Sequence, residues 1–253
     1  GGAVYYTGTD SPQFFNCAFT NNQASLISGG ALYIDAGVDS PLFSNCVFVG
    51  NEALGGAVNE NGGAIIASDG TRLTIADCVF SNNYSARLGG AVSLNGGAGG
   101  LQLDFQRSLF VGNRSRFQGG ALHLGSLSAD HFITGCTFRA NAATNDDGGA
   151  FYYQAGSNLT MIACDFIGNS SKGDGGAAYI ASNTLFRNCL FAGNAASNLP
   201  GADGGALFLG GVDGVTPFIF EQCTFSANSA TNGGALRLEA GLAYATNCIF
   251  WED

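Results

Sequence analysis

The chain has 253 residues, of which 40 are glycine and only 11% are charged. The apolar share of 46%, with twenty phenylalanines, argues against a disordered chain, and the scarcity of charge argues against a coiled coil. A net charge of −10 repels phosphate backbones, so nucleic acid is not expected as a partner. No apolar run is long enough for a bilayer-spanning helix, and we expect no membrane-spanning segment in this piece.

A repeat with a mean period of about 29 residues runs through the whole chain. Each unit begins with Gly-Gly-Ala and later contains the motif Cys-x-Phe-x-x-Asn, and nine such units follow one another. The glycine pairs start at Gly1, Gly29, Gly62, Gly89, Gly119, Gly148, Gly175, Gly204 and Gly233. The second motif starts at Cys17, Cys46, Cys78, Ser108, Cys136, Cys164, Cys189, Cys223 and Cys248.

The first predicted strand of each unit follows the glycine pair. The residues one and three places after the alanine are apolar in every unit, as Leu32 and Ile34 are in the second. This period of two predicts a strand with one buried face. The glycines lead into the strand from a turn, where a positive φ angle is cheap only for glycine.

Two more apolar stretches follow in each unit. The second stretch ends three residues before the cysteine, and the third is Cys-x-Phe itself, again with a period of two. The mostly polar pair between them predicts a corner. The asparagine that ends the motif predicts another corner, where stacked side chains bond to one another and to the turn backbone. These asparagines are Asn22, Asn51, Asn83, Asn113, Asn141, Asn169, Asn194 and Asn228, and Asp253 takes the ninth place.

Short strands in a repeating unit cannot each bury a core as hairpins, but they can stack in parallel about 4.8 Å apart. We therefore predict an all-β fold: a right-handed parallel β-helix (a solenoid) of about nine coils, with three short strands per coil. The rod would be about 40 Å long. We expect residues 1–253 to form a single domain, a fragment or processed piece of a longer protein.

The order of these motifs resembles a known family. Phe-x-x-Asn followed by Gly-Gly-Ala and an aliphatic residue is the repeat signature of the chlamydial polymorphic outer-membrane proteins. Residues 19–24 leading to residues 29–33 are a close match, and the resemblance covers essentially the whole chain. It implies an extracellular β-helical passenger, used in adhesion or as a surface coat, and it implies no catalytic residues. The membrane-barrel domain of that family is absent from this sequence.

Eight cysteines in an extracellular chain would first suggest four disulfides. One cysteine per coil argues otherwise, because neighbouring Cβ atoms would lie near 4.8 Å and point the same way, whereas a disulfide needs about 3.5–4.5 Å. We predict a column of buried free thiols with no disulfide. Ser108 fits this column as a near-isostere.

Acidic residues precede the glycine pair in three successive units, at Asp147, Asp174 and Asp203, and Asn232 follows in the next. Carboxylates stacked about 4.8 Å apart repel each other unless a cation or water separates them. A cluster of oxygen ligands suits Ca²⁺, which we name as a possible cofactor. The alternative is that Asp and Asn simply favour turns before glycine.

The middle residue of the first strand is predicted to point outward, and it is aromatic in five of the nine units. An exposed aromatic stripe could bind a glycan or another protein. The alternative is that aromatic side chains simply stack well along a parallel sheet. The five residues are Tyr5, Tyr33, Tyr152, Tyr179 and Phe208.

The chemistry of a polysaccharide-degrading β-helix would need a carboxylate cluster, often with Arg, Lys or His, that breaks the repeat on one face. His123 lies inside a strand and His131 at a strand start, and neither joins a catalytic pattern. The only dense polar group, Asp146-Asp147 with Lys172 and Asp174, is predicted to lie in turns. We therefore predict no catalytic or cofactor-binding residues and no enzyme.

The predicted function is a non-catalytic rod at the bacterial cell surface, acting as an adhesin or a structural scaffold. Solenoid ends normally need caps, and the sequence shows none. Either flanking sequence was removed, or the ends pair with other copies of the chain and build a filament. The expected partners are thus further copies, or a cell-surface protein or glycan. The alternative function is a polysaccharide-binding or polysaccharide-degrading β-helix.

Overall fold

The computed structural model describes residues 1–26, 28–55, 62–68, 70–95, 101–127, 129–197, 201–210 and 217–253. In these residues the chain forms 34 strands and no helix. Each strand pairs in parallel with its equivalent in the next coil, in the register that the repeat predicts, as Val4 pairs with Leu32 and Leu32 with Ile65. The parallel β-helix is therefore confirmed. Among the described residues, no helix is available to cross a membrane.

The strands are numbered in chain order and form four parallel sheets. The first sheet contains β1 (Val4–Tyr6), β5 (Leu32–Ile34), β9 (Ile65–Ser68), β13 (Val92–Asn95), β17 (Leu122–Leu127), β21 (Phe151–Gly156), β25 (Ala178–Ile180), β29 (Leu207–Leu209) and β32 (Leu236–Leu238). The second sheet contains β2 (Gln13–Phe15), β6 (Leu42–Ser44), β10 (Arg72–Ala76), β14 (Gln102–Gln106), β18 (His131–Thr134), β22 (Leu159–Ile162), β26 (Thr184–Arg187), β30 (Phe218–Glu221) and β33 (Ala243–Thr246).

The third and fourth sheets complete each coil. The third contains β3 (Ala18–Thr20), β7 (Val47–Val49), β11 (Val79–Ser81), β15 (Leu109–Val111), β19 (Thr137–Arg139), β23 (Asp165–Ile167), β27 (Leu190–Ala192), β31 (Thr224–Ser226) and β34 (Ile249–Trp251). The fourth contains β4 (Gln23–Ala24), β8 (Glu52–Ala53), β12 (Tyr84–Ser85), β16 (Arg114–Ser115), β20 (Ala142–Ala143), β24 (Ser170–Ser171) and β28 (Ala195–Ala196).

The prediction of three strands per coil is wrong, because a fourth sheet follows the asparagine corner. Its strands have two residues each, such as Gln23–Ala24 and Glu52–Ala53. Two residues are too few to show a period of two, and the inward residue is a small Ala or Ser. The nine-coil count is confirmed by the nine strands in each of the first three sheets.

The corners lie where the motif predicts them. The residue before each cysteine has a left-handed backbone, with φ of 55° at Asn16 and 52° at Asn45. The residue before the asparagine of each Cys-x-Phe-x-x-Asn motif also has a left-handed backbone, as at Asn82 and Gly112. Asn, Asp and Gly tolerate this conformation best. These two turns separate the second, third and fourth sheets and direct the phenylalanine of each coil into the interior.

Stacked phenylalanines form the centre of the core. The Cys-x-Phe rings of the nine coils lie 4.6 Å apart at the closest, between Phe48 and Phe80, and 5.0 Å at the widest, between Phe166 and Phe191. The second sheet adds an edge-on ring in several coils, as Phe43 does against Phe48. The core is thus one continuous aromatic column with aliphatic walls.

The asparagine corners form a ladder of hydrogen bonds along the rod, as predicted. The Oδ1 of Asn141 accepts from the backbone N–H of Asn113 at 2.9 Å and from its Nδ2 at 3.0 Å. Nδ2 of Asn141 donates to the Phe110 carbonyl at 2.9 Å and to Oδ1 of Asn169 at 3.0 Å. At the last rung Asp253 accepts from Asn228 in the same way.

The cysteines of successive coils lie in one column, and all eight are free thiols in this structure. Six are buried, and Cys17 and Cys248 in the terminal coils are half-buried. The thiols donate to carbonyl groups of the preceding coil, as Cys46 does to Phe14 at 3.3 Å. Burial raises the pKa of Cys78 and Cys136 to about 12, which suppresses the reactive thiolate.

We expect a thiol reagent to modify Cys17 and Cys248 readily in the folded protein and to modify all eight cysteines after denaturation. The six inner thiols should be protected because they are buried and out of reach of the reagent. Mass spectrometry of the labelled protein, before and after denaturation, measures the difference. Rapid labelling of the inner thiols under native conditions would contradict the packed column.

Candidate functional site

The predicted aromatic stripe exists as a stacked column on the outer face of the first sheet, but it is not exposed along its length. Tyr5 and Tyr33 stack at 4.9 Å, and Tyr152, Tyr179 and Phe208 stack in sequence at 4.9 and 5.0 Å. Tyr5 is 54% exposed at the end of the column, whereas Tyr152 is 8% and Phe208 6% exposed. The prediction of exposure is therefore wrong for these two residues. The ring of Tyr179 stacks on both Tyr152 and Phe208 and covers one face of each.

The acidic residues before the glycine pairs form a second ladder. Asp147 Oδ1 accepts from the backbone N–H of Asp174 at 2.7 Å, and Asp174 Oδ1 accepts from that of Asp203 at 2.8 Å. Asn232 Nδ2 donates to Asp203 at 2.7 Å. Each carboxylate therefore satisfies the turn of the next coil, in the manner expected of Asp before glycine.

These contacts favour the turn interpretation of the three aspartates over calcium binding. Within the described residues, no group of three or more His, Cys, Asp or Glu side chains is arranged to hold a metal ion. Arg237 also supplies a positive charge to Asp203 at 3.2 Å. Lys172, grouped with these acids in the sequence, forms no ion pair in the part of the chain that the structure describes.

Asp146 and Asp147 are adjacent acidic residues in the turn before Gly148. Burial is the main cause that raises the pKa of both carboxyl groups. For Asp147 the pKa rises to about 7, with the negative charges of Asp146 and Asp174 acting in the same direction. The pair thus holds a proton over much of the range below neutral pH, which reduces the repulsion between adjacent carboxylates.

A groove of about 430 Å³ lies beside this pair, on the outer face of the first sheet. One set of lining residues comes from the turns that precede three successive glycine pairs, and the other comes from strands of the first sheet. The turns supply Arg87, Leu88, Phe117, Gln118 and Asp146, and the sheet supplies Asn95, His123 and Gln154. The lining is therefore mainly polar, with amide, guanidinium and carboxyl groups.

Arginine and aromatic side chains form a cluster in the third and fourth coils, and Arg87 and Phe117 of this cluster line the groove. The guanidinium carbons of Arg87 and Arg116 lie 6.0 and 5.4 Å from the centre of the Phe117 ring. Arg114 lies 5.5 Å from the ring of Tyr84. At these distances the cations are attracted to the aromatic rings, which hold the guanidinium groups in place.

The two histidines do not share a site. His123 faces the groove region, where it stacks on Tyr152 at 5.5 Å and has its Nδ1 3.5 Å from Ser93 Oγ. His131 points into the core from the second sheet and packs edge-on against Tyr153 at 5.9 Å. Burial lowers the pKa of both to about 4, so both imidazoles are neutral at physiological pH.

Comparison with known proteins places this geometry in a family. Residues 91–251, well over half of the chain, match the family described as the right handed beta helix region. The chain belongs to the right-handed β-helix family. Residues 77–98, which contain the third Cys-x-Phe motif and its following glycine pair, match the Chlamydia polymorphic membrane protein repeat. Neither the curated proteins nor the solved structures yield a match.

The family match confirms the right-handed coil and the resemblance to chlamydial surface repeats. It does not indicate the groove or the arginine cluster, which the sequence prediction also missed. A signal for the cluster was present, because six of the eight arginines lie between Arg72 and Arg139. Their concentration in a strongly acidic chain marks one part of the rod as different from the rest.

The buried His131 gives a prediction about pH. In the second sheet its side chain lies in register between those of Leu103 and Leu159 in the adjacent coils. Neither ring nitrogen has a hydrogen-bond partner within the described residues. Its folded pKa of about 4 lies below the ordinary value of 6.5, so the unfolded chain binds the proton more tightly. Stability is therefore lost as the pH falls from about 6.5 towards 4, by about 3 kcal/mol for this residue.

We expect His131→Leu to restore the aliphatic column and to remove this part of the pH dependence. Urea unfolding at pH 7 and at pH 4.5 should show a larger gain in unfolding free energy for the variant at the lower pH. The variant keeps His123, whose pKa is lowered in the same way, so some acid sensitivity remains. An equal gain at both pH values would contradict the assignment.

Proposed function

We propose that this chain is a non-catalytic extracellular rod of the bacterial cell surface, acting by contact as an adhesin or scaffold. The observation that carries the proposal is the uninterrupted stack of nine coils, in which almost every glycine, cysteine and asparagine of the repeat serves the fold. Such a rod leaves its outer sheet faces as the working surface, as solenoids commonly do. The similarity to a chlamydial surface repeat supports this setting.

Surface display and adhesion are tested together. Antibodies against the purified rod should label intact, non-permeabilised cells of the source bacterium, and surface proteolysis should remove the label. Beads coated with the rod should bind target cells or cells of the same bacterium more strongly than beads coated with an unrelated acidic protein. Labelling only after permeabilisation would overturn the surface role, and equal bead binding would overturn adhesion.

A scaffold role would involve assembly of the rods, end to end, into a filament. Each coil pairs with the next through parallel strands in one register, so copies stacked end to end would continue the same pairing. Electron microscopy of native material should then show filaments as wide as one rod. Separate rods about 40 Å long would contradict assembly and leave the adhesin role.

Polysaccharide cleavage is the second candidate, favoured by the adjacent carboxyl groups of Asp146 and Asp147 beside the groove. A carboxyl group with a raised pKa can act as a general acid. If the site were catalytic, incubation with acidic and neutral polysaccharides should release reducing ends or unsaturated products, and Asp146→Asn should abolish the release. We expect no turnover from either protein.

A further inference from the structure

One edge of the rod carries positive and negative charges in two separate blocks. This edge, which we call the turn edge, is the line of turns that lead from the fourth sheet of one coil to the first sheet of the next. Backbone hydrogen bonds hold successive turns in register, as from Phe117 N–H to the Arg87 carbonyl at 2.9 Å and from Gly148 N–H to the Asp174 carbonyl at 2.9 Å. Charged side chains of these turns therefore follow one another along the rod.

The basic block lies at the ends of the third and fourth coils and consists of Arg87, Arg114 and Arg116. Arg114 and Arg116 are exposed, and Arg87 is half-buried. Contacts with the rings of Tyr84 and Phe117 hold these guanidinium groups in place. Across the described ranges none of the three arginines forms an ion pair, whereas three other arginines do. The block therefore presents positive charges that the chain itself does not pair.

The acidic block follows at the ends of the next three coils. Its members are Asp146, Asp147, Asp174 and Asp203. Asp203 pairs with Arg237 at 3.2 Å, and Lys172 adds one positive charge among the carboxyl groups. The other three aspartates are half-buried and have no ion pair in the described residues. Two blocks of opposite sign thus lie next to each other, each covering only a few coils at about 4.8 Å per coil.

A second copy of the chain is the partner that fits both blocks. Two rods that lie side by side and antiparallel, related by a two-fold axis, place the basic block of each against the acidic block of the other. With the axis between the turns of the fourth and fifth coils, Arg116 meets Asp146 of the second copy. Arg87 then meets Asp174 of the second copy. An unrelated acidic protein would be attracted by the basic block and repelled by the acidic block beside it.

We propose that two copies of this chain pair side by side and antiparallel through their turn edges, with Arg116 and Asp146 forming the central ion pairs. This lateral contact goes beyond the proposed surface role and is separate from the end-to-end contact of a filament. It covers few coils and depends mainly on partly exposed charges, so the association is weak and sensitive to salt.

The acidic block gives the pairing a pH dependence. Burial raises the pKa of Asp146 and Asp174, and it raises that of Asp147 to about 7. A guanidinium group of the second copy favours the charged carboxylates, so pairing strengthens from about pH 6 to about pH 8. Burial raises the pKa of both nearby tyrosines and lowers that of His123 to about 4, so none of these three changes charge in this range. The titratable and charged groups in or around the block are Tyr152, Tyr179, His123, Lys172, Arg237 and Glu239.

A charge swap, measured by sedimentation velocity, tests the pairing. The overall charge of −10 makes two copies repel at long range, so association is measured in about 0.15 M NaCl, where the Debye length is about 8 Å. Arg116→Glu alone and Asp146→Arg alone should each weaken self-association about tenfold or more, because two symmetry-related ion pairs become repulsive. An equimolar mixture of the two variants should associate about as well as wild type, because both pairs again have opposite charges. Raising NaCl to about 1 M should weaken the wild-type association, since the Debye length falls to about 3 Å.

Arg139→Glu is the matched control, because it makes the same change of charge at an exposed residue on the outer face of the third sheet. It should leave self-association unchanged, and it should not rescue Asp146→Arg in a mixture. Circular dichroism should show all variants folded. A wild-type chain that stays monomeric at high concentration, an equal loss in the control, weaker association at the higher pH, or a swap mixture that fails to recover would each overturn the pairing.

The same measurements distinguish the pairing from other contacts. Association that persists in about 1 M NaCl and in Arg116→Glu would be end-to-end contact and would overturn the lateral pairing. Binding of polyglutamate by a chain that stays monomeric would assign the basic block to an acidic partner and would overturn the second copy as occupant. Pairing by a protein that is not displayed on cells would remove only the surface role.

Discussion

Replacing Gly149 by alanine is expected to destabilise the rod by about 4 kcal/mol or more. Gly149 is the second glycine of its pair. A Cβ atom there would overlap the carbonyl oxygen of Gly176 in the next coil. The obstacle is backbone, which cannot rotate away as a side chain can, so the two coils would have to separate locally.

The same close approach repeats along the rod, and this explains why the substitution cannot be absorbed nearby. A Cβ on Gly120 would overlap the Gly149 carbonyl oxygen, and one on Gly176 would overlap that of Gly205. The coil spacing is fixed on either side by hydrogen bonds, such as Gly149 N–H to the Gly175 carbonyl at 3.0 Å. A shift at one coil therefore strains its neighbours.

Gly168→Ala is the matched control. Gly168 has a φ of 61°, but a Cβ there would meet nothing within 4 Å. The equivalent corners in two other coils already hold Ala140 and Ala227, with φ of 52° and 54°. We expect a cost of about 1 kcal/mol. Urea unfolding of both variants decides the matter, and a Gly149 variant within 1 kcal/mol of the Gly168 variant would contradict the steric argument.

The two glycines of each pair differ in how well their role could be predicted from the sequence. The glycine pair is predicted to enter the strand from a turn with a positive φ angle, and Gly148, the first glycine of its pair, has a φ of 69°. The repeat cannot reveal why the second glycine is needed, because that depends on the distance between coils. The fourth sheet was missed for a similar reason, since a two-residue strand is defined by its neighbour in the next coil rather than by its own pattern.

Part of the groove could be predicted from the sequence. Arg87, Phe117 and Asp146 each lie two residues before a glycine pair, in three successive units. Aligning the units therefore predicts that they stack, and the backbone bond from Phe117 N–H to the Arg87 carbonyl at 2.9 Å agrees. The path of the turns over the first sheet, which creates the groove, depends on irregular segments that the repeat does not determine.

Asn141→Ala is expected to cost about 4 kcal/mol, because it removes one complete rung of the buried ladder. Without the side chain, the backbone N–H of Asn113 and the carbonyl of Phe110 both lose a buried partner. Each unsatisfied buried group costs about 1–3 kcal/mol, and the two side-chain bonds to Asn113 and Asn169 are lost as well. Asn158→Ala, at an exposed asparagine, should cost less than about 0.5 kcal/mol.

Asn141→Asp separates the accepting role of the rung from its donating role. Asp253 shows that a carboxylate can accept from the preceding asparagine at the ninth rung. At position 141 a carboxylate would instead face two acceptors, Asn169 Oδ1 at 3.0 Å and the Phe110 carbonyl at 2.9 Å. Burial and these acceptors should raise its folded pKa above the ordinary value for aspartate.

A raised folded pKa means that the stability of the Asn141→Asp variant is lost as the pH rises through that pKa. The free-energy difference from wild type should therefore be smaller at pH 4 than at pH 7, because the protonated carboxyl group regains one donor. Comparing each variant with wild type at the same pH removes the contribution of the two histidines. A difference that does not change with pH would show that the rung needs only an acceptor, and the ladder would then be a chain of turn caps rather than a set of mutual bonds.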